Sequence, residues 1–325
     1  MNVPRPRIVL LDAATYGDMN LESFTDIWDC TVHQVTSPAE TIERIQGHTI
    51  AVTNKVAFDK TVLRAAKARE LKLIAVAATG TDIIDKDEAG KMGVKVCNVP
   101  GYATQSVAQF TMALILELGT RAGRYVDDVK RGEWQKSPIF SLLTYPTIEL
   151  AGKKLGIVGY GSIGRTVAEM ARGFSMEILV ATRSDVDEYP MNNRVPLNRL
   201  LREADVVSLH CPLTPETRNL INRQTLSLMK PTAFLINTAR GALIDEAALI
   251  QCLQEKRIAA AALDVITAEP PPANHSLILA AKELDNLIVT PHTAWSTREA
   301  RERLLSEVAE NIAVFLQGRD RNRVA

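Results

Sequence analysis

Cysteine is scarce in this chain, with four among 325 residues. Cys30, Cys97, Cys211 and Cys252 stand far apart with no CxxC spacing, which excludes a disulfide framework and a cysteine zinc site and points to a reducing cytoplasm. Net charge is also missing. The 38 basic and 38 acidic side chains cancel, and no dense Lys/Arg block is interleaved with aromatics, so nothing favours a nucleic-acid partner. Long hydrophobic runs are absent too: the apolar stretch from Ile8 meets Asp12 at once, too short for a signal segment or a membrane span, and reads as a first strand. His33, His48, His210 and His275 show no HExxH or similar ligand spacing, so no metal is expected, and no GxSxG motif marks a serine hydrolase. There is no short-period repeat and no low-complexity tract.

What is present has the balance of an ordinary globular protein, 46% apolar and 23% charged, in a chain long enough for two cores. From residue 7, short β-branched runs (RIVLLD, TVHQV, TIAVTN, LKLIAVAATG, VKVCNV) alternate with helical stretches such as ETIERIQG and KTVLRAAKARE. That rhythm predicts a parallel sheet covered by helices. A second series begins at Lys153 with KKLGIVGYGSIG and continues through MEILVA, ADVVSLH, TAFLINTA, IAAAALDV and NLIVTPH. Each run is continuously apolar, as strands buried on both faces should be. Between the series lies a long helical segment, GYATQSVAQFTMALILELGTRAGRYVDDV, expected to cross between the units, and the chain ends in an amphipathic helix, STREARERLLSEVAENIAVFLQG, expected to return to the first. The expected division is therefore discontinuous: residues 1–100 with 293–325, and residues 101–292.

Gly159-Tyr160-Gly161-Ser162-Ile163-Gly164 has GxGxxG spacing, follows the apolar run Leu155–Val158 and precedes a helical pattern. Strand, glycine turn and helix N-terminus together make a dinucleotide pyrophosphate site, with helix amides as donors. The end of the next strand discriminates the cofactors, because an acid there accepts from ribose hydroxyls and repels a 2′-phosphate. At that place stand Thr182, Arg183 and Ser184, a phosphate-compatible set that favours NADP over NAD. Asp185 and Asp187 follow closely, and either one folding back onto the ribose would reverse the preference.

Three further segments fall at or just after carboxyl ends of expected strands, where ligand sites of doubly wound sheets collect. They are Asn237-Thr238-Ala239-Arg240-Gly241, Asp264-Val265 with Glu269-Pro270-Pro271, and Thr290-Pro291-His292-Thr293-Ala294-Trp295. Taken in order with the glycine motif, the Ala78-Thr79-Gly80-Thr81-Asp82 loop and the SVAQ stretch at 106–109, they resemble the D-isomer-specific 2-hydroxyacid dehydrogenase family over essentially the whole chain. TNK at 53–55, Gln109 and Tyr145-Pro146 before IELAGKKLGIVG are similar to its glycerate dehydrogenase and hydroxypyruvate reductase branch.

The resemblance implies an α/β architecture of two doubly wound parallel-sheet domains, a Rossmann cofactor domain and a flavodoxin-like substrate domain. It implies reduction of a small 2-keto acid, hydroxypyruvate or glyoxylate, to the D-hydroxy acid. By the same resemblance His292 is the general acid, Glu269 its carboxylate partner favouring the imidazolium, and Arg240 the group that binds the substrate carboxylate and polarises the carbonyl. Backbone amides of Thr79 and Gly80 complete the carboxylate grip. Cofactor contacts extend over Gly159, Gly161, Ser162, Ile163, Gly164, Cys211, Pro212, Thr238 and Asp264. A homodimer is the family's usual assembly, and Trp134 and Trp295 read as packing or subunit-contact residues. Two alternatives stay open: another dehydrogenase on this fold, of D-lactate or phosphoglycerate type, and a dinucleotide-sensing corepressor-like protein. A formate dehydrogenase is disfavoured by Glu269, where those enzymes carry glutamine.

Overall fold

The computed structural model describes residues 6–68, 70–182 and 193–325. It divides into two compact units, Met1–Ala103 with Ser296–Ala325, and Thr104–Trp295.

In the first unit five parallel strands form one sheet: β1 (Arg7–Leu10), β2 (Asp29–Val32), β3 (Ile50–Thr53), β4 (Leu73–Val76) and β5 (Lys95–Cys97), in the order β2-β1-β3-β4-β5. Every residue of β3 and β4 is buried, which is why these strands read as unbroken apolar runs rather than alternating ones. The helices are α1 (Glu22–Thr25), α2 (Thr41–Arg44), α3 (Lys60–Ala68), α4 (Lys86–Met92) and, from the end of the chain, α12 (Arg298–Leu316). The Asp85 carboxylate accepts from the Glu88 N–H to start α4, and Gly93, at φ 70°, ends it in the left-handed region. Strand order reverses between β1 and β3, so the segments following these two strands emerge at a topological switch point.

The second unit holds seven parallel strands: β6 (Lys154–Val158), β7 (Glu177–Ala181), β8 (Arg194–Val195), β9 (Val206–Leu209), β10 (Phe234–Asn237), β11 (Ala260–Leu263) and β12 (Leu287–Val289). Their order is β12-β11-β10-β9-β6-β7-β8, a doubly wound sheet whose switch point lies between β6 and β9. β8 is the strand that no apolar run announces. Its two residues are too few to carry a pattern. Helices α5 (Thr104–Thr120), α6 (Ala122–Lys130), α7 (Ser162–Gly173), α8 (Leu197–Glu203), α9 (Arg223–Leu226), α10 (Glu246–Gln254) and α11 (Ser276–Glu283) complete the unit. Met112, Ile115 and Leu118 of α5 share one apolar cluster with Ala168 and Ala171 of α7, and the small alanines allow close approach. A second cluster includes Leu200, Leu209, Leu235, Leu249 and Leu263. Truncating a fully buried leucine such as Leu235 to alanine would cost about 2–5 kcal/mol. Among the described residues no helix is long and apolar enough to cross a membrane, and no cluster of His, Cys, Asp and Glu could hold a metal ion.

Candidate active site

The glycine turn after β6 is shaped by close approach. Gly159 has φ 99°, and a side-chain carbon there would lie 2.5 Å from the backbone of His210 and Cys211. At Gly164 such a carbon would meet the Gly159 carbonyl oxygen at 2.2 Å, so the third glycine lets α7 sit against the turn. Gly161 differs, because nothing lies within 4 Å of where its side chain would start. Gly161 is the N-cap of α7 and supplies no side-chain acceptor for its first amides, and Ser162 and Ile163 begin the helix. A helix end that no side chain caps among the described residues, with its amide donors and positive dipole, fits a dinucleotide pyrophosphate.

The remaining expected contacts are spread over four strand ends, those of β7, β9, β10 and β11. Thr182 follows β7, and its N–H and hydroxyl both donate to the Val195 carbonyl, at 2.9 and 3.4 Å. Arg183 and Ser184, the other half of the phosphate-compatible set, lie outside the described residues, as do Asp185 and Asp187. Cys211 and Pro212 follow β9 next to Gly159, and burial pushes the Cys211 thiol up. Beside them, burial pushes the His210 imidazole down to about 4, and its Nε2 lies 2.8 Å from the Ser208 hydroxyl. A neutral ring there adds no charge to the site. Thr238 is 8% exposed and its hydroxyl lies 2.9 Å from that of Thr111 on α5.

The Arg240 turn is tied by Asn237, a fully buried residue at the end of β10. Its Oδ1 accepts from the Ala239 N–H at 3.0 Å and its Nδ2 donates to the Arg240 carbonyl at 2.8 Å. The next residue, Gly241, is forced by packing: a side-chain carbon there would stand 2.0 Å from the Ile266 carbonyl carbon. The Arg240 turn therefore lies directly on the backbone of the loop that carries Glu269. In that loop Glu269 Oε1 accepts from the Ile266 N–H at 2.9 Å, while Oε2 lies 2.6 Å from His292 Nδ1. The two side chains are 30% and 28% exposed, so the pair is reachable from solvent. With Nδ1 occupied by the carboxylate, Nε2 is the nitrogen left to exchange a proton.

Asp264, expected among the cofactor contacts, is tied into the turn that carries His292. It is 1% exposed; its Oδ1 accepts from the Thr290 hydroxyl at 2.6 Å and the Thr293 N–H at 3.0 Å, and its Oδ2 from the Ala294 N–H at 2.8 Å. Its carbonyl also accepts from the His292 N–H at 2.9 Å. These bonds hold the turn in which His292 adopts φ 54°, a left-handed conformation unusual for a side chain with a Cβ. The Asp264 carboxylate is thus an internal brace for His292. Ser106, in the SVAQ stretch, donates to the Ala294 carbonyl at 2.6 Å and braces the same turn from α5.

Thr79 and Gly80 belong to the first unit, in the loop after β4. The Thr79 hydroxyl donates to the Val99 carbonyl at 2.8 Å, and its carbonyl accepts from Asn98 Nδ2 at 2.7 Å. The TNK segment after β3 is organised by Asp12, a residue the sequence marks only as the end of an apolar run. Its buried carboxylate accepts from the N–H groups of Asn54, Lys55 and Val56, with 2.6 Å to Lys55. Burial raises the Asp12 pKa, and the amides of Lys55, Asn54 and Val56 oppose the rise.

Residues 112–294 match the family model described as D-isomer specific 2-hydroxyacid dehydrogenase, NAD binding domain. The chain belongs to the D-isomer-specific 2-hydroxyacid dehydrogenases. It is 40% identical over 319 residues to a glycerate dehydrogenase of Methylorubrum extorquens, covering 98% of each chain. A hydroxypyruvate reductase of Blautia hydrogenotrophica is 36% identical, with 96% of this chain and 97% of that protein covered. Among solved structures, an acyclic imino acid reductase in complex with NADPH and D-Arg superposes with a TM-score of 0.85 at 29% identity, over 98% of this chain and 100% of that one. This dehydrogenase accordingly has a nicotinamide dinucleotide as its cofactor, and its two parallel-sheet units are those of the family.

Proposed function

We propose that this dehydrogenase reduces hydroxypyruvate or glyoxylate, with Arg240, Glu269 and His292 as its working set. The observation that carries the reading is the 2.6 Å contact between Glu269 Oε2 and His292 Nδ1, on a loop packed directly against the Arg240 turn. Gly159, Gly161, Ser162, Ile163 and Gly164 would hold the pyrophosphate, with Cys211, Pro212, Thr238 and Asp264 as further contacts; a reduced nicotinamide bound there would supply the hydride for the new C–H bond. As negative charge grows on the keto oxygen, His292 Nε2 donates its proton there, leaving a neutral imidazole and a hydroxyl group. Glu269 fixes the ring and balances its positive charge before transfer. Arg240 pairs with the substrate carboxylate and draws charge toward the carbonyl oxygen. Thr79 and Gly80 are the candidate carboxylate-binding amides of the first unit.

The substrate class is favoured by the names of the relatives, a glycerate dehydrogenase and a hydroxypyruvate reductase, and by the TNK segment that Asp12 holds in place. We assign NADP as the favoured dinucleotide because Thr182 stands where an acid would repel a 2′-phosphate, with Arg183 and Ser184 next in sequence. A homodimer through the second unit is supported by its exposed apolar stretch, in which Phe140 is 91% and Leu143 81% exposed. The test is loss of reduced-nicotinamide absorbance with hydroxypyruvate, glyoxylate and pyruvate, each against NADPH and NADH. Turnover of either of the first two with NADPH preferred supports the full reading. Preference for pyruvate removes the substrate assignment, and preference for NADH removes the cofactor assignment.

A further inference from the structure

Glu246 and His275 form a nearly buried pair that no step of the reaction uses. Glu246 is the first residue of α10, behind the N-cap Asp245. Its side chain is 12% exposed and that of His275 is 8% exposed, with His275 Nε2 lying 3.5 Å from Glu246 Oε2. The buried His275 Nδ1 has no hydrogen-bond partner among the described residues, so Glu246 is the ring's polar neighbour. The other oxygen, Glu246 Oε1, accepts from the Thr267 N–H at 2.7 Å. Thr267 and His275 both belong to the loop between β11 and α11, one near its start and one at its end, and Glu269 lies between them. Desolvating a carboxylate is unfavourable, and the Thr267 amide, the imidazole and the positive end of α10 are what offset it here. Held this way, the loop is clamped at two points by one side chain.

We propose that Glu246, together with His275, is a positioning residue for Glu269: it clamps the loop that delivers the Glu269 carboxylate to His292 Nδ1. It does not touch the keto acid. The inference rests on Glu269 and His292 being the working pair. Loss of the clamp lets Glu269 wander, and a misplacement of about 1 Å near the reacting groups costs on the order of a hundredfold in rate.

The experiment is a double-mutant cycle on the full-length enzyme with Glu246→Ala, Glu246→Gln, Glu269→Gln and the combination of Glu246→Ala with Glu269→Gln, measuring kcat, KM for the keto acid and dinucleotide affinity by tryptophan fluorescence. Glu246→Ala is expected to lower kcat by about 10–100-fold while dinucleotide affinity stays within about twofold. Glu246→Gln, whose amide oxygen still accepts from Thr267, is expected to recover most of that loss. The combined variant is expected to be no slower than Glu269→Gln alone, because an effect exerted through Glu269 disappears with it. A folded Glu246→Ala enzyme with unchanged kcat overturns the proposal, as do losses that multiply in the combination. If Glu246→Ala does not fold, His275→Ala enters the same cycle with the same two readings. Should Glu269→Gln and His292→Ala both keep full activity, it is the working pair that falls; if they lose it and Glu246→Ala does not, only the clamp falls.

Discussion

Replacing Gly241 with alanine is the sharpest perturbation of the site that leaves every charged group in place. The new methyl would start 2.0 Å from the Ile266 carbonyl carbon and 2.1 Å from its oxygen. Ordinary contact begins at 3.4 Å, so the two backbones must part by about 1.4 Å. No flexible side chain can yield instead, since the obstructing atoms are backbone. The displaced residue is the one whose N–H donates to Glu269 Oε1, and the displacing residue follows Arg240, so the strain is delivered to both sides of the site at once. Overpacking of this kind costs about 1–3 kcal/mol of stability, which for a unit of this size lowers Tm by roughly 2–4 °C per kcal/mol. A shift of about 1 Å at the reacting groups lowers kcat on the order of a hundredfold. Dinucleotide affinity should survive, because the Gly159 turn is made by other strands. Steady-state kinetics, fluorescence titration and calorimetry on the purified variant read all three quantities. A folded Gly241→Ala enzyme whose kcat lies within about twofold of the parent refutes the reasoning.

Arg240→Lys keeps the charge but removes the planar fork, so KM for the keto acid should rise more than tenfold with little change in dinucleotide affinity; parallel kinetic and binding measurements check it. Arg183→Ala should weaken NADPH binding with little effect on NADH, and equal affinities before and after substitution would remove the phosphate argument. The His210 imidazole is held at about 4 in the fold against 6.5 for the free side chain, so its neutral form is the folded one. Its contribution is full above pH 6.5 and is lost as pH falls toward 4, at most about 3 kcal/mol. Urea unfolding at pH 7.5 and pH 5 should show stability falling on acidification, less steeply in His210→Gln.

The strands were legible because burial on both faces leaves an unbroken apolar run, and β6, β9, β10 and β11 all carry that mark. β8 had no such mark. The glycine motif was legible as spacing, but the reasons differ residue by residue: Gly159 and Gly164 are crowded by backbone, Gly161 is open. Arg240, Glu269 and His292 stood out through resemblance. Long-range hydrogen bonds of polar side chains did not, since a bond between residues far apart in the chain leaves no local pattern. Asp12 reaches the Asn54, Lys55 and Val56 amides, and Ser106 reaches Ala294. The Asp264 carboxylate likewise reaches the Thr293 and Ala294 amides, bonds that its place after a strand does not announce.

The central claim is that His292, oriented by Glu269, donates the proton. Its most direct test is His292→Ala, with the rate of nicotinamide oxidation in a single turnover and dinucleotide affinity measured on the same preparation. The account predicts a loss of about a hundredfold to ten-thousandfold in rate with dinucleotide affinity essentially unchanged. A rate within about tenfold of the parent would contradict it, and the proton would have to come from another group.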